Sequence, residues 1–417
     1  MTVARSLAGL AAVLLAAAAP AAAQTVLPKI THKVNPPNCQ TVGTFDAWLD
    51  GFKREAGAKG IKPATITATL SGPLYDPGII ARDRRQGFFQ QSFLEFSDKL
   101  ATRNRVDNGQ RQIQRHRAVF ERAEKEYGVP PEVIAGFWAL ESDFGATAGM
   151  GKLPVLRSLA TLAYDCRRGE YFRGQLLDAL RIVERGDLRP DEMVGSWAGE
   201  LGQTQFLPTY YFKYAIDFDG DGRRDLYRSI PDVIGSSANF VKELGWQRGE
   251  PWLEEVRVPP SMQWDQADLT IKLARSKWAA LGVTRPNGQP LANDAKEASL
   301  LLLMGRNGPA FLAYPNFDVY LLWNQSLNYA TTAAFLANRI KGAPALNRGN
   351  VAVTVLDAGQ LRELQQLLKA AGYEVAEVDG KLGAGTRAAI KKAQMRLGLP
   401  ADSYPSLELI DRLRRRS

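Results

Sequence analysis

The chain has 417 residues, of which 45% are hydrophobic and 23% charged, and it carries a formal net charge of +9. That balance excludes a disordered chain and is enough for two or three folded units. The basic excess suits polyanionic partners, and charge alone does not choose between nucleic acid and an anionic envelope polymer.

Arg5 precedes an apolar run of small residues from Leu7 to Ala19, followed by Pro20-Ala21-Ala22-Ala23-Gln24. This is the layout of a secretory signal, with cleavage expected after Ala23. An uncleaved anchor helix is the alternative, but the run is short and Ala-rich for spanning a bilayer. No later stretch has the length and apolarity of a membrane span. Residues 24–44, with Pro36, Pro37 and Asn38, read as a flexible lead-in. Cys39 and Cys166 are the only cysteines. In an oxidising compartment the expectation is one structural disulfide, with two buried thiols as the alternative. Together with His32 and His116 they match no common zinc spacing, and neither histidine lies in a motif that suits a Ser-His-Asp triad.

From Phe45 the pattern is a series of helices. The first runs from Phe45 to Ala56 and is closed by Gly57 and Gly60. The next spans Gln110 to Tyr127 and stops at Gly128, after which Pro130-Pro131 opens another. Further helices are expected at Tyr171 to Arg185, Ile230 to Leu244, Leu269 to Leu281 and Asn328 to Ile340. Strand-like runs are confined to Ser299–Leu303 and Phe317–Leu322. A linker at 341–356, rich in Gly, Pro and Asn, leads to a separate module at 357–417.

In the helix from Pro131, the residues Ile134, Phe137, Trp138 and Glu141 share one face. Glu141 therefore points where a core should be, and a carboxyl desolvated beside aromatics holds its proton to higher pH. Such a group can donate to a leaving oxygen. The plainer reading is a helix-end Glu paired with an Arg. Asp143, two residues on, projects to another side of the helix and reads as a surface or capping residue.

The segment "GSWAGELGQTQF" sets Ser196 and Gln205 among glycines, where a sugar can approach the backbone and polar tips can bond it. Helix caps and turns are the plainer reading. "WNQSLNYA" supplies Trp323, Asn324 and Tyr329, an aromatic and polar set suited to sugar rings or to core packing.

The stretches "ALESDFG" (139–145), "GSWAGELGQTQFLPTYY" (195–211) and "DFDGDGRRDLYRSIPDVIGSSANFVKELGW" (217–246) resemble, in order and spacing, the soluble lytic transglycosylase B family. The resemblance covers roughly Phe45 to Ile340. It implies a lysozyme-like, mostly helical catalytic domain at 45–340 that acts on peptidoglycan, with Glu141 as its single acid/base. The implied reaction cleaves the bond from N-acetylmuramic acid to N-acetylglucosamine and closes a 1,6-anhydro ring without water. A periplasmic location follows from this together with the signal. The resemblance further implies that Ser196, Gln205, Trp323, Asn324 and Tyr329 line the cleft, and that Arg167 and Arg168 hold carboxylates of the glycan strand. A solvated basic pair is the alternative for those two. Glu200, between Ser196 and Gln205, reads as structural or exposed. Trp323 stands where the family would have Tyr, and Phe240 where Tyr is frequent.

Asp217, Asp219 and Asp221 alternate, with Gly222 sixth, like the start of an EF-hand loop. The twelfth position is Arg228, so Asp232 is the expected closing carboxylate, and Arg223 would offer its carbonyl. Some members of the resembled family bind calcium in such a loop. The expectation is a structural calcium and no cofactor for catalysis. The alternative is an acidic turn neutralised by Arg223, Arg224 and Arg228.

Residues 357–417 read as helix, turn, helix, turn, helix, punctuated by Asp379-Gly380 and Gly383. They resemble the small three-helix peptidoglycan-binding domain, with Ser403 in place of a usual Gly. A helical dimerisation unit is the alternative. The expected fold class is thus mainly α: a lysozyme-like catalytic domain plus a small three-helix wall-binding module. The signal and both resemblances set nucleic acid aside as a partner and leave peptidoglycan strands. Two functional rivals stand beside the transglycosylase, a muramidase that uses water and an inactive wall-binding scaffold.

Overall fold

The computed structural model describes residues 34–36, 38–84, 91–146, 149–349 and 351–415, so the expected signal at 1–23 lies outside the described residues. Helix α1 (Phe45–Ala58) starts where the Thr44 side chain accepts the Ala47 amide, and it buries Leu49, Phe52 and Ala56 on one face. After α2 (Pro63–Thr69) and α3 (Pro77–Arg84), α4 (Phe93–Leu100) opens with a reciprocal Ser92–Glu95 capping box. The helix expected from Gln110 to Tyr127 is in fact two, α5 (Arg103–Arg115) and α6 (Arg117–Tyr127). They break at His116, which caps both; the polar face continues across the break, so periodicity alone could not reveal it.

Helix α7 (Pro131–Ser142) is the central strut. Val133 through Ala139 are all buried, so it has no solvent face in its middle. A β-carbon on Gly136 would lie 3.4 Å from both the Ala333 carbonyl and the Ala337 side chain, so Gly136 sets how closely another helix can cross here. Strand β1 (Leu153–Pro154) leads into α8 (Val155–Tyr164) and α9 (Gly169–Arg185), and it pairs antiparallel with β2 (Val194–Gly195). The hairpin after β2 is followed by α10 (Pro208–Tyr214) and α11 (Ile230–Glu243).

A small antiparallel sheet then interrupts the helices. Strands β3 (Leu253–Val256), β4 (Leu273–Ala274), β5 (Glu297–Leu302) and β6 (Ala310–Ala313) lie in the order β3-β6-β5-β4, with α12 (Arg275–Ala280) beside them. They enclose a second core around Val256, Trp278, Leu300 and Leu312. The helix expected over Leu269–Leu281 shrinks to α12, because Leu273 and Ala274 pair with Ala298 and Glu297 instead. The strand expected at Phe317–Leu322 is helical: it lies in α13 (Pro315–Trp323), with Pro315 in its first turn. Helix α14 (Leu327–Ile340) packs Ala333 and Ala337 onto α7 and closes the main core.

Helices α15 (Ala358–Ala370), α16 (Ala384–Arg396) and α17 (Leu407–Arg414) form a third core around Leu364, Ile390 and Leu409. This module is docked on the sheet region. Arg387 donates to the Leu303 carbonyl at 2.7 Å, Lys391 meets Asp268 at 2.8 Å, and Asp402 accepts the Arg306 amide at 3.0 Å. The linker is pinned too, with Arg348 on Asp98 at 2.9 Å and the Asn347 amide on Glu255 at 2.7 Å. The described part of the lead-in is likewise held, contrary to the expected flexibility. Cys39 is disulfide-bonded to Cys166, and Asn35 donates to the Cys166 carbonyl at 2.7 Å. Among the described residues no helix is long and apolar enough to cross a membrane.

Candidate active site

The last turn of α7 delivers Glu141, and the chain then leaves the helix through three left-handed residues: Asp143 at φ 52°, Phe144 at 62° and Gly145 at 83°. Two consecutive non-glycine residues in that region are strained, and such strain persists where the surroundings enforce it. The surroundings are visible. A β-carbon on Gly145 would lie 2.3 Å from the Gln203 side-chain oxygen. That oxygen accepts the Trp138 indole N–H at 2.9 Å, while the Gln203 amide donates to the Tyr227 carbonyl at 2.8 Å. Gln203 therefore ties the hairpin after β2 to the catalytic-end turn of α7. Sequence reasoning passed over it; its place two residues before Gln205 in a glycine-framed run was the available signal. Asp143 turns away to Arg105 at 3.4 Å.

Glu141 is half-buried and receives two side-chain donors. Its Oε1 accepts the Trp323 indole N–H at 2.8 Å and the Tyr329 hydroxyl. Burial pushes its carboxyl up to about 7, against the downward pull of these two donors, and the nearby Glu200 adds to the rise. The carboxyl is thus a proton donor near neutrality whose base form already has two hydrogen bonds waiting.

Trp323 is fixed by its own stack. Phe137 lies parallel at 4.1 Å between centroids, and Phe206 and Phe240 meet it at 5.6 and 5.2 Å. Phe240 also touches Tyr210 and Tyr214, so it belongs to the aromatic cluster behind Trp323. Asn324 ends α13, and its side-chain oxygen accepts the Ser326 amide at 2.9 Å, which shapes the turn between Trp323 and Tyr329.

The hairpin after β2 lies beside this cluster, with Phe206 against the Trp323 ring. The Ser196 hydroxyl oxygen accepts the amides of Ala198 at 3.1 Å and Glu200 at 3.2 Å. Gln205 is left-handed at φ 49° and donates to the Gly202 carbonyl at 2.8 Å. Glu200, expected to be structural or exposed, is half-buried on this hairpin, and burial raises its carboxyl while the Ser196 hydroxyl and the Arg168 charge pull it back down.

Arg167 and Arg168 both pair with the buried Asp83, Arg167 at 2.7 Å. A buried carboxylate needs that charge and no spacing rule could have pointed to it, since Asp83 lies more than eighty residues earlier. Arg168 still contributes a field that favours the ionised form of Glu200.

In the acidic loop, Asp217, Asp219 and Asp221 bring their oxygens within 4.8 Å of one another. The three arginines spend their charge elsewhere: Arg223 on Glu192 at 3.4 Å, Arg224 on Asp187 at 3.4 Å and Arg228 on Glu192 at 2.7 Å. Asp232 is outside the cluster. It is fully buried, and its two oxygens accept the Phe218 and Asp225 amides, each at 2.7 Å, so it braces the loop from within. Three convergent carboxylates fit a hard cation, and Asp232 adjoins them from the buried side of the loop.

Residues 44–338 match the transglycosylase SLT domain, and residues 357–413 match a putative peptidoglycan binding domain. The membrane-bound lytic murein transglycosylase B of Escherichia coli K12 is 35% identical over 242 residues, 57% of this chain and 64% of that protein. The structure of SltB3 from Pseudomonas aeruginosa in complex with NAG-anhNAM-pentapeptide is 40% identical, with a TM-score of 0.84 over 89% of this chain and all of that one. The Escherichia coli lytic transglycosylase SLT35 in complex with calcium is 30% identical, with a TM-score of 0.61 over 74% of this chain and 98% of that one.

Proposed function

The chain belongs to the transglycosylase SLT family, and from that premise we propose that it is a lytic transglycosylase that cuts peptidoglycan strands with Glu141 as sole acid/base. The observation that carries this is the recessed Glu141 carboxyl, proton-bearing near neutrality and held by Trp323 and Tyr329. Glu141 gives its proton to the oxygen between N-acetylmuramic acid and N-acetylglucosamine, and the bond from the muramic C1 to that oxygen breaks. The Trp323 and Tyr329 donors stabilise the carboxylate so formed. It then takes the proton of the muramic 6-hydroxyl as that oxygen bonds to C1, which closes the 1,6-anhydro ring and restores Glu141. SltB3 was solved with a NAG-anhNAM ligand, which is the type of product this route yields.

Ser196, Gln205, Trp323, Asn324 and Tyr329 line the cleft in this reading. Trp323 and Tyr329 act on the catalytic carboxyl, and Ser196 and Gln205 act on the sugar from the opposite wall. The module at 357–413 holds the enzyme on its insoluble substrate and raises the local strand concentration. Export by the segment ending at Ala23 into the periplasm supplies access to that substrate. Asp217, Asp219 and Asp221, with the Arg223 carbonyl, hold a structural calcium, in line with the calcium complex of SLT35.

The test is mass spectrometry of fragments from purified peptidoglycan digested by the full chain. Anhydromuramic ends are expected. Reducing muramic ends alone would make the enzyme a muramidase, and intact strands would leave a scaffold.

A further inference from the structure

Gln203 is buried in the hairpin after β2, between Leu201 and Phe206, whose backbones pair. A side-chain amide has an acceptor end and a donor end, and here the two ends go to different elements. The Gln203 Oε1 accepts the Trp138 indole N–H from α7 at 2.9 Å, and its Nε2 donates to the Tyr227 carbonyl at 2.8 Å. Its backbone amide donates to the Leu226 carbonyl at 2.8 Å, so main chain and side chain are both fixed. On the far side of the Trp138 bond is the end of α7 that carries Glu141. Trp138 precedes Glu141 by one helical turn, and its ring meets Phe144 edge-on at 5.3 Å. A β-carbon on Gly145 would lie 2.3 Å from the same Gln203 Oε1, so glycine lets the left-handed turn close over the amide. The Ser142 hydroxyl accepts the Gly145 amide at 2.8 Å and holds that turn from within.

Resting on the function proposed above, we infer that Gln203 is a positioning residue for strand cleavage: through Trp138 it fixes the Glu141 end of α7 against the hairpin that carries Ser196 and Gln205. Gln203 acts through these partners and takes no part in the proton transfer. Both Gln203 and Trp138 are neutral, so replacing either changes geometry without changing charge. The titratable groups acting on Glu141 are Tyr329 on α14, which donates to it, and Glu200 on the hairpin, through its charge. Trp323 donates from α13, and Asp143 in the turn is paired with Arg105 of α5 at 3.4 Å. None of these groups is altered by a substitution at Gln203. Cutting the bond loosens the turn, admits water to Glu141 and misplaces the acid relative to the sugar-binding hairpin.

Gln203→Met keeps the length of the side chain and loses both of its hydrogen bonds. The kcat for strand cleavage is expected to fall about ten- to a hundredfold with KM within about threefold of wild type, and the alkaline limb to move to lower pH by about half a unit. Trp138→Phe removes the donor and keeps a ring. The double variant should lose little beyond Gln203→Met, because both substitutions cut one bond. Thr204→Val alters the neighbouring buried residue but not this bond, and should keep the wild-type limb. Additive losses in the double variant overturn the inference, as does the same limb shift in Thr204→Val. So does a loss in Gln203→Met that follows a lowered melting temperature with the limb unmoved, which is the mark of a merely structural residue. If Gln203→Met does not fold, side-chain 13C titration of Glu141 in Trp138→Phe decides: a midpoint below that of the wild type supports the inference, and an unchanged midpoint overturns it. That readout needs no activity. A wild-type chain that makes no anhydro ends, with the Glu141 midpoint lowered in Trp138→Phe, fails the functional reading and keeps the positioning bond.

Discussion

The Glu141 site and the loop at 217–221 both concentrate carboxylates, and the protein treats them in opposite ways. Glu141 is recessed against aromatic rings, takes its hydrogen bonds from two side chains, and is lifted by burial to about 7. Asp217 is only partly buried, and although burial works against it, the amides of Gly222, Gly220 and Asp221 hold its carboxyl below the usual range. Side-chain donors in a recess permit a proton to come and go. Backbone amides at the surface fix the charge. One arrangement suits an acid that must also be a base, and the other suits a cation ligand.

Four experiments break or sharpen that contrast. The largest effect belongs to Glu141→Gln, which keeps shape and loses the proton. Strand cleavage should fall by about a thousandfold or more, read as soluble fragment release. A variant retaining a tenth of the activity would move the acid elsewhere.

Next is Tyr329→Phe, which removes a donor that holds the Glu141 carboxyl down. The rate should drop about tenfold, and the alkaline limb should move to higher pH.

Stability supplies a smaller signal. Unfolded Glu141 loses its proton near 4.5, whereas the folded group keeps it to about 7. Between those values the folded chain binds more protons, so this group's contribution to stability declines as pH rises through the window and is gone above it. Glu141→Gln should remove that slope and stabilise the fold above pH 7 by about 1–2 kcal/mol, allowing for the group's partial exposure. Melting curves at pH 5 and 8 check it.

The smallest expected change is on the acidic side. Millimolar calcium should raise the melting temperature by a few degrees, and Asp217→Asn with Asp219→Asn should erase the rise. No response to calcium or chelator in the wild-type chain would remove the ion from the account.

The elements that carry the chemistry were more legible than those that frame it. The helix ending at Glu141 shows in its apolar spacing, and the motifs around Ser196, Gln205, Trp323 and Tyr329 point to one cleft. Of the sheet only β5 shows, in the apolar run Ser299–Leu303, because β4 and β6 are short and their pairing is non-local. Phe317–Leu322 reads as a strand because a short apolar run has no period to judge, and Pro315 was the unused helix signal. The partner of Arg167 is set by a tertiary contact, with Asp83 far off in sequence. No local pattern records such a meeting.

The central claim is that the fold holds a proton on Glu141 near neutral pH. Side-chain 13C titration of Glu141 in the full chain tests it most directly. The account predicts a midpoint near 7. A midpoint in the ordinary carboxylate range, close to 4.5, would contradict it.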